Sequence, residues 1–266
     1  MRLKDVTALA ALFLSFSVCA CAEEVTTDNL AREVEKLFRN RPDIVMDVLR
    51  RESESVLDIA QQGSNQRRRR SLEVQWRSDM KSEKSVRLEG RPVYGPPKAK
   101  VRIVAFSDFT CHFCRQAAST VNEVLRDYGK DVCLIFKNFP LENKGVAMQA
   151  AMAFLAMAQQ SNEKAWEFYS VLFAERDRLM GEGEGFINRT AEGVGADMKK
   201  LQRDVKSKKI ADMLAEDIAD GQKIGVEGTP FFLVNNLVIR GALPPDLFRA
   251  AVDMALAEKS RQGNSQ

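Results

Sequence analysis

Hydrophobic and polar positions fall into three successive textures along this chain. Val6–Val18 is an unbroken run of apolar and small residues, preceded by Arg2 and Lys4 and followed by Ala20-Cys21-Ala22. This is the three-part pattern of an export signal spanning residues 1–22, with cleavage before Glu23. As a helix the run covers about 20 Å of a roughly 30 Å hydrocarbon core, so a cleaved leader is expected rather than a permanent span. Val18-Cys19-Ala20-Cys21 also fits a lipoprotein cleavage box, with Cys21 as the residue that would carry lipid. The expected location is therefore periplasmic or secreted, or, with Cys21 lipidated, the outer membrane.

Residues 23–90 are densely charged, with sparse apolar residues at helical spacing. Leu30, Val34, Leu37 and Phe38 form one stripe, with Thr27 or Asp28 as cap. Pro42 suits the first turn of a second helix, on which Ile44, Val45, Val48, Leu49, Val56 and Ile59 continue the stripe. Leu72, Trp76 and Met80 predict that helix resumes after Gly63. So narrow a stripe has little to pack against within itself. The segment reads as a stalk that self-associates, with a solvated helical linker as the alternative. Arg67–Arg70 is read as a solvated helix face rather than a binding patch.

From residue 91 the period shortens. Val101–Phe106 and Asp131–Phe139 are apolar, β-branched runs that predict buried strands. Between them Ala117, Val121, Val124, Leu125 and Tyr128 keep helical spacing up to a stop at Gly129, giving a βαβ unit. Helices are expected over Gly145–Gln160, Glu163–Leu179 and Asp197–Ile224, the last broken near Ser207, with Gly181–Gly185 as a flexible loop. Asn235-Asn236 between Phe231–Val234 and Leu237–Arg240 predicts a tight hairpin. Pro245–Lys259 reads as a closing helix, and residues 260–266 as a polar tail.

Composition narrows the chemistry. Forty Lys and Arg against 37 Asp and Glu leave a net charge of +3, too balanced to point to nucleic acid. One histidine and five cysteines exclude a multi-histidine metal site and a disulfide-dense scaffold. Removal of the leader leaves Cys111, Cys114 and Cys133. Cys133 alternates with apolar neighbours and reads as a buried small residue. A zinc site would need His112 between two of its own ligands, and haem attachment would need histidine where Arg115 stands. No cofactor or metal is expected.

Phe109-Thr-Cys-His-Phe-Cys114 lies where the first strand ends and the helix begins. Cysteines at i and i+3 on a helix are about 5–6 Å apart, within disulfide range. At the helix start, unpaired N–H groups and the dipole favour a Cys111 thiolate, and a protonated His112 would act in the same sense. Cys111 is the candidate nucleophile and Cys114, one turn in, the resolving thiol of thiol–disulfide exchange. Gly228-Thr229-Pro230 opens the Phe231 strand, a place where proline costs no ladder bond. A cis bond there would present the Thr229 backbone to an extended peptide.

These residues resemble the thioredoxin superfamily, in particular its DsbA-type branch. The likeness rests on Phe109-Thr-Cys-His-Phe-Cys-Arg115 between strand and helix, on Phe136-Lys-Asn-Phe-Pro140, and on Gly-Thr-Pro-Phe-Phe ahead of the hairpin. It implies an α/β thioredoxin fold over 91–259 with a helical insertion at about 141–222. It also implies a redox-active Cys111–Cys114 disulfide, thiolate tuning by His112 and Phe113 between the cysteines, and a cis-proline loop at Thr229-Pro230 that binds substrate. The 23–90 segment is similar to the helical stalk of ScsC-like and Com1-like members, some of which self-associate and act as isomerases. The family often carries an acid six residues before the nucleophile. Here that residue is Ala105, with Asp108 nearer. The expected activity is oligomeric protein disulfide isomerisation on protein substrates, served by a membrane redox partner. A monomeric dithiol oxidase is the alternative within that class, and a binding or chaperone-like module with an inert disulfide is the alternative outside it.

Overall fold

The computed structural model describes residues 27–263. The export signal and Cys21 lie outside them. The chain divides into two compact units, one up to Ser64 and one from Asn65 onward. The first contains α1 (Thr27–Asn40), α2 (Pro42–Arg51) and the start of α3 (Ser53–Asp79). Pro42 opens α2 as its position predicts. The stripe breaks one turn earlier than the spacing implied, at Glu52, so Val56 and Ile59 belong to α3, and α3 runs through Gly63 without interruption. No residue of α2 is buried, and Leu30, Leu37, Phe38, Val48, Leu57 and Ile59 are all exposed.

The second unit takes in the chain from Asn65 onward, and Trp76 supplies the reason. Its side chain is fully buried in the main core, and its indole N–H donates to the Val238 carbonyl at 3.0 Å. The Asp79 carboxylate accepts from the Val238 N–H. The end of α3 thus covers the edge strand of the sheet, a common protection against edge-to-edge pairing.

That sheet has five strands, ordered β1-β3-β2-β4-β5: β1 (Val93–Tyr94), β2 (Val101–Ser107), β3 (Val132–Asn138), β4 (Phe231–Val234) and β5 (Leu237–Arg240). Only β2 and β3 run parallel, joined by α4 (His112–Tyr128) as the βαβ pattern predicts. β1 is too short to carry a periodic signal. On one face Ile103, Ala105, Leu134 and Phe136 join the main core with α4 and α11 (Pro245–Gly263). On the other, Val104, Phe106, Ile135 and Phe231 are covered by Val86, Leu88 and Val93. Gly129, at φ 50°, ends α4, and Asn235, at φ 52°, makes the hairpin turn.

Six helices separate β3 from β4: α5 (Val146–Ala158), α6 (Asn162–Ala174), α7 (Arg176–Glu182), α8 (Glu184–Gly193), α9 (Met198–Asp204) and α10 (Lys208–Lys223). Ser207 caps α10, matching the expected break. Gly181–Gly185 is not a loop. It carries the end of α7 and the start of α8, and Gly183 alone turns the chain at φ 57°. Leu179, Phe186 and Ile187 bury against the core on either side, and that packing overrides the low helix propensity of glycine. The tail is likewise shorter than expected, because α11 continues to Gly263.

Candidate active site

Cys111 is the N-cap of α4 and Cys114 lies in its first turn. Phe109 places them: its fully buried ring stacks with Phe136 from β3 at 5.1 Å and with Phe173 from α6 at 4.9 Å. The loop ahead of the helix is held by Asp108. One carboxylate oxygen accepts from the Thr110 N–H and hydroxyl, the other from the Leu141 N–H at 2.9 Å. Asp108 is therefore a brace between the two strand ends, with both oxygens occupied. Arg176 of α7 adds a bond from its Nε to the Thr110 carbonyl at 2.6 Å. The Asp-x-Thr spacing carries a recognisable turn signal. The role of Arg176 depends on tertiary placement and has no local sequence signal.

Cys111, Cys114 and Cys133 are all free thiols. Cys111 is half-buried and Cys114 is 1% exposed. The Cys114 thiol, donating toward the Cys111 sulfur, is the main cause that brings Cys111 down to about 5. Burial opposes the shift, while Thr229 and the N–H groups of Cys114 and Phe113 assist it. Burial, and the same bond seen from its donor side, push Cys114 far above the ordinary thiol range. Burial also pushes Cys133 up, on a strand remote in sequence from the motif. His112 and Phe113 are both exposed and meet edge-on at 5.7 Å. Phe113 acts on the thiolate through its backbone N–H.

Thr229-Pro230 is cis and directly precedes β4. The Cys111 sulfur lies 3.5 Å from the Thr229 carbonyl oxygen, so the loop and the nucleophile, 118 positions apart, form one site. The Thr229 hydroxyl is near enough to favour thiolate on either sulfur but is not in hydrogen-bonding geometry with them. Ala105, where an acid could stand, is buried in β2. Among the described residues no group of three or more His, Cys, Asp or Glu is placed to hold a metal ion. Among them, too, no helix is long and apolar enough to cross a membrane.

A family model described as Thioredoxin matches residues 87–254. The chain belongs to the thioredoxin family. A thioredoxin-like oxidoreductase from Silicibacter pomeroyi is 31% identical, with a TM-score of 0.56, covering 63% of this chain and 92% of the other. A linker-deletion mutant of Proteus mirabilis ScsC, 18% identical with a TM-score of 0.56, covers 89% of this chain and 100% of the other, and shares its fold. Among curated relatives, an Na(+)/H(+) antiporter NhaA 3 of Salinispora tropica is 32% identical over 166 residues, covering 62% of this chain. The matched region is about a quarter of that antiporter, 24% of its length. BdbD from Bacillus subtilis, 21% identical with a TM-score of 0.58 over 66% of this chain and 97% of the other, shares the fold, and in this thioredoxin protein six helices lie between β3 and β4.

Proposed function

We propose that this thioredoxin-family protein is an exported thiol–disulfide oxidoreductase acting on protein substrates. The arrangement that carries this reading is two thiols at one helix start, Cys111 at the N-cap 3.5 Å from the Thr229 carbonyl and Cys114 buried in the first turn, with Cys111 pushed down to about 5 and Cys114 far up. An attacking sulfur must be ionised and reachable, whereas a resolving sulfur must wait, protonated and sheltered. The Cys111 thiolate attacks a substrate disulfide and forms a mixed disulfide. Cys114 then attacks Cys111, releasing the substrate sulfur and leaving a Cys111–Cys114 disulfide. Run backwards, the same steps oxidise a substrate dithiol. An extended client segment would lie along Thr229-Pro230 as an added strand, beside the exposed Phe113 ring, with His112 tuning the thiolate.

The exposed apolar stripe of α1 to α3 supports assembly with further copies of this chain, and facing active sites suit isomerisation of a held client. The lowered Cys111 supports a second reading, a dithiol oxidase, because a stabilised thiolate makes the disulfide more oxidising. A membrane redox partner would reset the pair, and the leader would place the protein in the periplasm or outside the cell. Disulfide reduction, dithiol oxidation and scrambled-disulfide refolding, compared among the wild type, Cys111→Ser and Cys114→Ser, test the proposal. Cys111→Ser is expected to lose all three activities, and Cys114→Ser to accumulate mixed disulfides with clients. Undiminished activity of Cys111→Ser would instead support a binding module with an inert disulfide.

A further inference from the structure

Resolution requires Cys114 to lose its proton, although burial holds that proton firmly. No ionisable group buried beside the thiol is a free acceptor, and His112 is exposed at the helix start. Cys111 is the sulfur under attack. Asp108 is occupied by Thr110 and Leu141. Tyr169 of α6 is buried, and burial together with Cys114 pushes its hydroxyl up, so it stays protonated. Arg176 faces the Thr110 carbonyl, and Glu227 ahead of β4 is exposed. Lys137 and Arg91 both pair with Asp217 on the opposite face of the sheet.

Three neutral polar side chains stand at this end of the sheet instead, Ser107 closing β2, Asn138 closing β3 and Thr229 just ahead of β4. Ser107 and Asn138 are register partners on the parallel strands β2 and β3. Their side chains therefore leave the sheet on one face, the face of Ala105, Phe136 and Cys114. The Ser107 hydroxyl lies close enough to the Cys114 sulfur to favour its thiolate, and the Thr229 hydroxyl does the same from the cis-proline loop. Asn138 is 1% exposed, and its backbone N–H is pinned to Asp217 at 3.0 Å. Neither its Oδ1 nor its Nδ2 finds a partner among the described residues, and the buried Thr229 hydroxyl finds none either. An unsatisfied buried polar group is destabilising, and one small ligand with both donors and acceptors suits all three atoms. Water fits that description, since buried waters are held by about three such bonds.

We propose that Ser107, Asn138 and Thr229 hold a water molecule against Cys114, and that this water relays the thiol proton during resolution. The proposal rests on the exchange reading above. The Cys114 S–H bond breaks and its proton passes to the water, which gives one of its own to the departing substrate sulfur. The Cys114 electron pair forms the Cys114–Cys111 bond, and the pair of the Cys111–substrate bond leaves with the substrate. The substrate is reduced by two electrons and the enzyme dithiol is oxidised by two. Asn138 acts as a positioning residue, because it orients the relay without touching the substrate.

The test mixes the reduced protein with oxidised glutathione and follows two steps by acid quench and mass measurement across pH. One step is formation of the Cys111–glutathione mixed disulfide, and the other is its resolution. Asn138→Leu should leave the first step unchanged within about twofold and slow the second about a hundredfold near neutral pH. Asn138→Asp, nearly isosteric, should resolve quickly and add an acidic inflection to the pH profile of the second step alone. That near-isosteric variant decides the matter where the leucine variant does not fold. A folded variant that resolves at the wild-type rate with the wild-type pH profile overturns the relay and leaves exchange intact. A wild-type protein that forms no mixed disulfide at Cys111 overturns the exchange reading, and the relay with it.

Discussion

Within the motif a single proton distinguishes the two sulfurs: Cys114 keeps it and shares it with Cys111. Alkylation of the reduced protein should therefore follow a thiolate with a midpoint about 5. Thr229→Val should move that midpoint upward, as loss of a nearby hydroxyl removes support for the charged form. Stability follows with a definite sign. The folded pKa lies below that of an unfolded cysteine, about 8.5, so the contribution of Cys111 is complete above that pH and fades as pH falls through about 5. Urea unfolding of reduced wild type and Cys111→Ser should accordingly converge on the acid side. The direction of this shift was legible from two cysteines at a helix start. Its leading cause was not, because the thiol–thiol bond depends on how both side chains turn once Cys114 is buried. Asp108 shows the converse: it resembled a replacement acid by proximity alone, and the fold uses both of its oxygens as acceptors for the loop.

Among the elements, α3 does the most to revise the expected organisation. Leu72, Trp76 and Met80 carry the helical spacing read from the sequence, but their partners are in the main core. Spacing reports which residues share a face and says nothing of what that face meets. Trp76→Ala removes a fully buried ring and its bond to Val238, and should cost about 3–5 kcal/mol in chemical unfolding. The buried pair of Lys137 and Asp217 is comparably sensitive. Asp217→Ala removes the anion that Lys137 and Arg91 share and leaves each one carboxylate, Asp220 and Glu216, with a loss of about 3 kcal/mol expected. Strand β1 and the α7–α8 pair were not legible for opposite reasons. β1 has only two residues, and the glycines around Gly183 conceal two helices whose neighbours bury on the core. The βαβ unit, the hairpin at Asn235 and the break at Ser207 were legible because each is set by local chemistry.

For the whole molecule, the two units separate the expected tasks. Residues 27–64 expose Leu30, Val34, Leu37 and Phe38 along one helix, and this stripe predicts self-association of the mature chain. Val34→Glu with Leu37→Glu should convert the assembly to monomers in sedimentation and abolish scrambled-disulfide refolding while sparing dithiol oxidation. A wild-type monomer would instead favour the oxidase reading. These substitutions are better suited than deletion through residue 90, which would take Trp76 out of the second unit. The central claim is the redox pair itself, and equilibration in glutathione buffers followed by thiol trapping addresses it most directly. One two-electron transition that joins Cys111 to Cys114 is expected, with a midpoint between about −120 and −180 mV. Thiols that stay reduced across the whole buffer range, or a midpoint at or below about −270 mV, would contradict it.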